Sequence, residues 1–433
     1  MSGRRAGTRV AAALAVCALG GGLLAACGPG TNAGAAKRTP AHVADAPAQL
    51  PIPQGKGGKV ADDFNGDGHR DLVLGDLVKE QSHADDAGIG IVYGGARGLT
   101  PGARQLLSPK KQAAPTKGRL PAVFDAEASC DLDKDGFTDL VVSTDPPYDG
   151  QGQPPVPLQI LFGSPKGLTG RAVKLDVPAQ ARFGNDWADQ PVCGDFDGDG
   201  AEDLVVHASA GRLSYLRGPF SRKGAPRKAG APIPSPGEVP TGPAADVNRD
   251  GYDDLLVRTA QGTGTSAVVL GGPDGPARTG VVLPAGIDVA FGRFGKGKAL
   301  DAAVGSMGGT SLRYDLPGAA RGSLGSPGSM LDAADFDGDG LSELVSSGSE
   351  LRVFQGRATG LSAKGMVTVE PPARGTTRVL TVGDFDGDGR ADLAVQTYRG
   401  ETRDTVAVYP GAEKGLVAAE PSVTFSSSEF LVR

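Results

Sequence analysis

The chain has 433 residues, with 68 glycines, 33 prolines and only 5% aromatic residues, and its formal net charge is −6. Because its basic residues form no stripe, we exclude a nucleic-acid-binding protein. Long helical periodicity is absent, and short β-rich runs alternate with turn residues. This pattern favours an all-β fold.

The first residues predict a signal peptide. Arg4, Arg5 and Arg9 form a positive segment, and the apolar run Val10–Ala26 follows them. A membrane-spanning helix needs about 20 apolar residues, whereas this run is shorter and interrupted by glycine. It ends in Leu24-Ala25-Ala26-Cys27, which resembles a bacterial lipobox. The resemblance implies that residues 1–26 are removed and that Cys27 carries lipid. The alternative is a signal peptide without lipid.

Residues 27–57 predict a lipidated cysteine followed by a flexible tether. Residues 28–57 are mostly glycine, alanine, proline, threonine and lysine without periodicity. Such a segment buries too little apolar surface to offset the entropy lost on ordering. The rest of the sequence contains no hydrophobic run that could span a membrane. We therefore expect an extracytoplasmic protein anchored to the bacterial cell membrane by its lipid.

One motif recurs through the remainder of the chain and is clearest at Asp384. From there the sequence reads DFDGDGRADL, with carboxylates at positions 1, 3, 5 and 9 and glycine at position 6. Calcium prefers six to eight oxygen ligands in flexible geometry, and alternating aspartates on a tight turn can supply them. An EF-hand starts in the same way but needs glutamate at position 12, where this chain has Val395.

Seven copies of the motif align without gaps, and we number them as loops 1 to 7. They span residues 63–71, 131–139, 195–203, 246–254, 293–301, 335–343 and 384–392. Loop 5 has lost the first three acids, since Arg293, Gly295 and Gly297 replace them and only Asp301 remains at position 9. One of its cations (Arg293, Lys296 or Lys298) is a candidate partner for Asp301, unless all three face solvent. Successive copies start 42 to 68 residues apart. A period of about 40 to 50 residues is typical of propellers, solenoids or arrays.

Each loop is followed by a strand-like run such as Leu140-Val141-Val142, and then by a third and a weaker fourth strand. Four strands in each of seven repeats predict a seven-bladed β-propeller over residues 58–433, with the loops between strands 1 and 2. The repeats resemble the FG-GAP or VCBS family, the propeller type of integrin α-subunits. The Phe-Gly pair of that family is present at Phe183-Gly184 and Phe291-Gly292.

The six intact loops predict about six calcium sites, with the position 7 carbonyl as an additional ligand. Solvated turns without metal are the alternative. The predicted ligands are Asp63, Asn65, Asp67, His69 and Asp71; Asp131, Asp133, Asp135, Phe137 and Asp139; Asp195, Asp197, Asp199, Ala201 and Asp203; Asp246, Asn248, Asp250, Tyr252 and Asp254; Asp335, Asp337, Asp339, Leu341 and Glu343; and Asp384, Asp386, Asp388, Arg390 and Asp392.

Two cysteines remain once Cys17 is removed with the signal peptide and Cys27 is lipidated. Cys130 and Cys193 lie just before loops 2 and 3. In an oxidising compartment they could form a disulfide between blades 2 and 3. Two free buried thiols are the alternative.

The sequence contains no recognisable catalytic motif. His69 lies in a loop, His83 in a polar segment and His207 at a strand end. We therefore expect a non-enzymatic module that binds a protein or glycan. The alternative is a polysaccharide lyase or hydrolase, since propellers host many chemistries. Long loops at 79–86, 146–157 and 182–190, the last around Trp187, are the predicted ligand face.

Overall fold

A computed structural model gives the fold and describes residues 48–82, 87–145, 157–182, 184, 188–208, 211–237, 239–259, 264–318 and 320–431. These residues belong to one compact unit, Ala46–Arg433. The predicted signal peptide, Cys27 and the tether up to residue 47 lie outside the described residues. So do His83, Phe183 and Trp187.

The described residues form thirty strands in seven blades and three one-turn helices. Blades 1 to 4 contain β1 (Leu72–Leu74), β2 (Ile89–Val92) and β3 (Arg104–Leu107); β4 (Val123–Cys130), β5 (Asp139–Asp145), β6 (Gln159–Leu161) and β7 (Val173–Lys174); β8 (Val192–Gly194), β9 (Asp203–Ala208), β10 (Arg212–Arg217), β11 (Lys228–Ala229) and β12 (Ile233–Pro234); and β13 (Val239–Ala245), β14 (Asp254–Arg258), β15 (Ser266–Leu270) and β16 (Arg278–Val282).

Blades 5 to 7 contain β17 (Asp288–Gly292), β18 (Asp301–Ser306), β19 (Gly309–Tyr314) and β20 (Ala320–Leu324); β21 (Met330–Ala334), β22 (Glu343–Ser347), β23 (Leu351–Gln355) and β24 (Ser362–Val369); and β25 (Thr376–Gly383), β26 (Asp392–Tyr398), β27 (Asp404–Tyr409) and β30 (Val423–Phe425), with the hairpin of β28 (Gly411–Ala412) and β29 (Leu416–Val417) before β30. The helices are α1 (Pro109–Gln112), α2 (Ala179–Arg182) and a 3-10 turn at Ser427–Phe430.

Each blade is an antiparallel sheet in which most strands pair with their neighbours in sequence; the exceptions are β12, which pairs with β10, and β30, which pairs with β27. In blade 6, for example, Val345 of β22 lies opposite Asp332 on one side and Val353 on the other. Loops 2 to 7 each lie between the first and second strands of their blade, as the sequence predicts, whereas loop 1 precedes the first described strand of blade 1. The seven-bladed propeller is therefore confirmed.

Blade 1 departs from the prediction of four strands, because three strands pair within its described residues. The segment before loop 1 forms a single bond of the expected ladder, from the Asp71 N–H to the Asp62 carbonyl (2.9 Å). Gly57 and Gly58 stand where an inner strand would begin, and glycine is a poor strand former.

Residues 48–57, predicted as the end of the tether, lie against the first two blades. The Leu50 N–H donates to the Gly102 carbonyl (2.8 Å), and the Gly55 N–H donates to the Asn65 carbonyl (3.1 Å). At Gly55 an added Cβ would lie 1.6 Å from the Gly66 oxygen, so only glycine fits there. The described part of the predicted tether is thus attached to loop 1.

Apolar clusters fill the interfaces between neighbouring blades, one for each interface. Each contains the position 2 residue of a loop, almost fully buried, a role that the sequence analysis did not assign. These residues are Phe64, Leu132, Phe196, Val247, Phe294, Phe336 and Phe385. Burying a side chain of this size contributes about 1.5–3 kcal/mol. The loops therefore anchor the blades to one another.

The ring closes between blades 7 and 1. Phe385 and Phe425 of blade 7 share a cluster with Leu72 and Val92 of blade 1. The 3-10 turn at Ser427–Phe430 also belongs to this junction, since the Ser427 hydroxyl accepts the Val78 N–H at 2.9 Å. Closure thus relies on side chains and a capped turn. Among the described helices, none is long and apolar enough to cross a membrane.

A disulfide joins Cys130 at the end of β4 to Cys193 in β8, with a Cα–Cα distance of 6.3 Å. This distance lies within the usual range for disulfides. It connects blades 2 and 3, so the predicted bridge is confirmed over the alternative of two free thiols.

Replacing both cysteines by alanine should lower the free energy of unfolding by about 2–4 kcal/mol, because the bridge restricts the unfolded chain. Urea denaturation measures the change. Dithiothreitol should lower the urea midpoint of the parent protein and leave the urea midpoint of the double variant unchanged. An equal response of both proteins would show that the bridge contributes nothing.

Candidate metal sites

The backbone of each intact loop wraps around its first carboxylate. In loop 2, Asp131 accepts the Asp135 N–H at 3.0 Å on one oxygen and the Gly136 N–H at 2.8 Å on the other. Gly136 has a φ of 87°, a conformation that favours glycine. Asp384 accepts the corresponding N–H groups in loop 7. Glycine at position 6 is therefore required by the turn itself.

Four loops bring three carboxylates together. In each, one oxygen per residue lies within 4.8 Å of the others; the groups are Asp131, Asp133 and Asp139; Asp195, Asp197 and Asp199; Asp335, Asp337 and Asp339; and Asp384, Asp386 and Asp392. Two buried oxygens in these groups, Asp133 Oδ1 and Asp195 Oδ1, have no hydrogen-bond partner. Converging, unpaired carboxylate oxygens fit a hard divalent cation such as calcium.

Loops 1 and 4 carry asparagine at position 3 and do not form such a three-acid group. Asn65 donates to Asp67 Oδ2 at 3.2 Å, and Asn248 donates to Asp250 Oδ2 at 2.9 Å. Each side-chain amide thus occupies one carboxylate oxygen of its own loop.

The position 7 residue orients the position 5 carboxylate through its backbone. The Phe137 N–H donates to Asp135 at 3.1 Å, and the Leu341 N–H donates to Asp339 at 2.8 Å. Equivalent bonds begin at His69, Ala201, Tyr252 and Arg390.

The position 9 carboxylate is buried and attached to backbone at two places. Asp139 accepts the Leu132 N–H at 3.0 Å and the Gly163 N–H, just after the third strand, at 2.8 Å. Burial raises the pKa of Asp139 to about 8, and the neighbouring loop carboxylates add to that increase. A nearby cation would offset this penalty on the charged form. The glycine that recurs after the third strand of every blade except blade 5 is the sequence signal for this second attachment.

Loop 5 keeps its backbone position without its acids. Asp301 Oδ1 accepts the Asp315 N–H at 2.6 Å, while Asp301 Oδ2 is buried and has no hydrogen-bond partner. Asp315 in turn accepts the Lys298 and Ala299 N–H groups, each at 2.8 Å. The candidate ion pair between Asp301 and a loop 5 cation is not formed among the described residues. Asp315 holds the loop instead, which sequence spacing gave no means of predicting.

Backbone hydrogen bonds connect loop 1 to loop 2 and connect loops 3 to 7 in succession. The Thr138 N–H of loop 2 donates to the Asp63 carbonyl of loop 1 (3.0 Å), and the Ala391 N–H of loop 7 donates to the Asp335 carbonyl of loop 6 (2.8 Å). Loop 5 takes part equally, because the Arg293 carbonyl accepts the Ser342 N–H at 2.7 Å. This role explains why loop 5 retains its length.

Arginines from blade 3 contact the carboxylates of loops 2 and 3. Arg222 Nε lies 2.6 Å from Asp133 Oδ2, and Arg217 Nε lies 3.2 Å from Asp197 Oδ2. In loop 7, Arg390 pairs with Asp388 of its own loop. These cations neutralise part of the negative charge. No local sequence pattern indicates the role of Arg222, since its partner is about 90 positions away.

Two regions of the chain match profiles of one repeat family. Residues 318–395 match the FG-GAP-like repeat, and residues 240–270 match the FG-GAP repeat. Together with the seven blades and their loops, these matches decide the family. The chain is an FG-GAP repeat β-propeller. The matched regions contain loops 4, 6 and 7, and repeats of this family commonly bind calcium.

Solved structures similar to this FG-GAP propeller include BBS1N in complex with ARL6DN, at 15% identity, with 86% of this chain and 96% of that chain covered and a TM-score of 0.48. An Agrocybe aegerita lectin specific for non-reducing terminal N-acetylglucosamine is 15% identical. The match covers 65% of this chain and 74% of the lectin chain, with a TM-score of 0.41. The V. cholerae biofilm matrix protein Bap1 is 12% identical. The match covers 86% of this chain and 92% of the Bap1 chain, with a TM-score of 0.39. A search of curated proteins finds no match.

The remaining predicted residues of the FG-GAP propeller lie apart from one another. His207 Nδ1 lies 3.0 Å from Asp189 Oδ1, and His69 Nδ1 is buried without a hydrogen-bond partner. Of the predicted ligand-face loops, residues 79–82 lie beside blade 7, where Ser82 donates to Glu401 at 2.8 Å. Residues 146–156 and 185–187 lie outside the described residues.

Proposed function

We propose that this FG-GAP propeller is a non-enzymatic binding module that calcium stabilises and that a lipid on Cys27 holds at the outer side of a bacterial membrane. The observation that carries this proposal is the ring of interlinked loops. Its backbone hydrogen bonds and buried position 2 side chains give a rigid platform, and binding residues are often presented on such scaffolds.

Calcium is the cation that these loops favour. Their donors are carboxylate and amide oxygens, which suit calcium, and the described residues form no cysteine or histidine cluster that would suit a softer metal. When bound, calcium would neutralise the converging carboxylates. The chain's own residues orient them, through the N–H groups at positions 5, 6 and 7.

The ligand that we propose is a protein or a glycan bound through the platform. Propellers of this family are typically non-catalytic. The loop carboxylates also favour a non-catalytic role, because backbone N–H groups and arginines already bind many of their oxygens. A carboxylate held in this way is poorly placed for general acid–base catalysis.

The proposed function is tested on paired arrays of glycans and bacterial surface proteins, probed in calcium and in EGTA. We expect retention of a limited set of ligands in calcium and weaker retention in EGTA, because the loops then lose their shape. Absence of binding on both arrays would overturn the binding function. Release of shortened saccharides, detected by mass spectrometry, would assign an enzyme instead.

Calcium content and thermal stability provide the second test. Chelated protein reloaded with calcium should plateau at six equivalents, since loop 5 has one acid. Extracellular modules bind calcium at about 10⁻⁴–10⁻³ M, so 5 mM calcium should stabilise the fold by about 1–2 kcal/mol per site. The melting temperature should therefore fall clearly in EGTA.

Two variants separate metal binding from folding. Asp386→Ala should bind five equivalents and lose stability mainly in calcium, because loop 7 then lacks the position 3 oxygen that Asp or Asn supplies in every intact loop. Asp301→Ala should still bind six and should lose about 1–3 kcal/mol equally in calcium and EGTA, because it leaves the Asp315 N–H without its acceptor. A seventh equivalent that disappears in Asp301→Ala would show that loop 5 binds metal.

The proposed anchor depends on Cys27. A Cys27→Ser variant should appear in the medium or remain unprocessed, because it lacks the thiol that carries the lipid. Fractionation with immunoblotting measures this, and Cys17→Ser is the matched control that should stay with membranes. If Cys27→Ser fractionates with membranes as the parent does, the protein is held there by something else.

A further inference from the structure

A groove of about 750 Å³ lies between loop 5 and blade 6. Arg293 and Lys296 of loop 5 line one side. Asp339 of loop 6 and the turn after β23, which includes Gln355 and Arg357, line the other. The groove lies at the position in the ring where loop 5 has lost its acids.

The walls of this groove are fixed by backbone contacts. The Arg293 N–H donates to Ser342 Oγ at 3.0 Å, and the Ser342 N–H returns a bond to the Arg293 carbonyl at 2.7 Å. Across the groove, the Arg357 N–H donates to the Phe294 carbonyl at 3.2 Å. A ligand would therefore meet a preformed surface and would lose little affinity to ordering it.

The lining carries an excess of positive charge. Three cations, Arg293, Lys296 and Arg357, face a single carboxylate, Asp339. The buried Nε atoms of Arg293 and Arg357 have no hydrogen-bond partner. Arg357 is nevertheless held in place, since its Nη2 donates to Gln355 at 2.7 Å and to the Lys364 carbonyl at 2.9 Å.

Arginines beside three other loops have carboxylate partners, which Arg293 lacks in its own loop. Arg222, Arg217 and Arg390 each pair with a loop carboxylate. Arg293 stands at position 1, where the intact loops have aspartate, and the acids at positions 3 and 5 of its own loop are glycines. Arg293 pairs with no carboxylate among the described residues, and an anion in the groove that it lines would supply one.

We propose that this groove binds an acidic glycan through a carboxylate or sulfate group held by Arg293 and Arg357. The guanidinium fork matches the geometry of such oxyanions. None of the described residues that line the groove is aromatic, whereas protein interfaces usually contain aromatic anchors. Charge and hydrogen bonds therefore dominate, which favours an acidic glycan over a protein or a neutral sugar. This inference rests on the proposed binding function and names its ligand class.

Isothermal titration calorimetry of the full protein in calcium tests the proposal with three hexasaccharides. Hyaluronan fragments carry carboxylates, chondroitin sulfate fragments add sulfates, and chitohexaose is neutral. We expect one or both acidic probes to bind at least tenfold more tightly than chitohexaose, and binding to weaken in 0.5 M salt. The comparison of the two acidic probes identifies the preferred group.

Arg293→Ala should weaken binding of the acidic probe at least tenfold, and Lys296→Ala, at an exposed position, should weaken it less. Arg321→Ala removes the same charge from an exposed site on the outer strand of blade 5 and should leave the affinity unchanged. Equal affinity of the parent and Arg293→Ala, or equal binding of all three probes, would overturn the acidic-glycan site.

The result also separates the two proposals. If the protein binds other ligands on the arrays but none of the three hexasaccharides, only the acidic-glycan inference is wrong. If no ligand on either array binds, the proposed binding function is wrong as well. Competition by inorganic sulfate without any saccharide binding would show that the groove takes only small anions, which contradicts the glycan assignment.

Discussion

Each blade of this protein has apolar side chains on both faces, and contact with two neighbours is needed to remove both faces from water. Strand β22 shows the constraint, because all five of its residues are buried. The same holds for β15. An open row of blades would leave two apolar faces exposed, whereas a ring leaves none. The position 2 side chains and the loop-to-loop hydrogen bonds fix the spacing at which the ring can close.

The loops divide this structural task from metal binding. Position 2 packs into the core and position 9 bonds to backbone, whereas positions 1 and 3 provide converging carboxylates that position 5 joins in loops 3 and 6 and position 9 joins in loops 2 and 7. Loop 5 shows that the division is real, since Phe294 and Asp301 remain in place although the other acids are gone. A repeat can therefore lose its acids and still support the ring. Once they are lost, the same backbone can display arginine and lysine.

Much of the fold could be predicted from the sequence, because each blade repeats the same local pattern. The loop spacing and the apolar runs that follow it gave seven blades, and the paired cysteines gave the disulfide. The missing inner strand of blade 1, the docked residues 48–57 and the Asp315 contact were not predicted. Each depends on atoms that are brought together only when blades pack, as with Arg222 and Asp133. Local patterns do not encode such contacts.

The junction between blades 7 and 1 has a kinetic consequence. Val78 and Ser427 meet across 349 positions of the chain, whereas most pairings within a blade join residues that are close in sequence. Contacts between distant segments form slowly, because a long loop must close before they contribute. Blades can therefore assemble in order while the ring stays open. During that interval the apolar faces of the first and last blades are accessible to chaperones, to proteases and to other open rings.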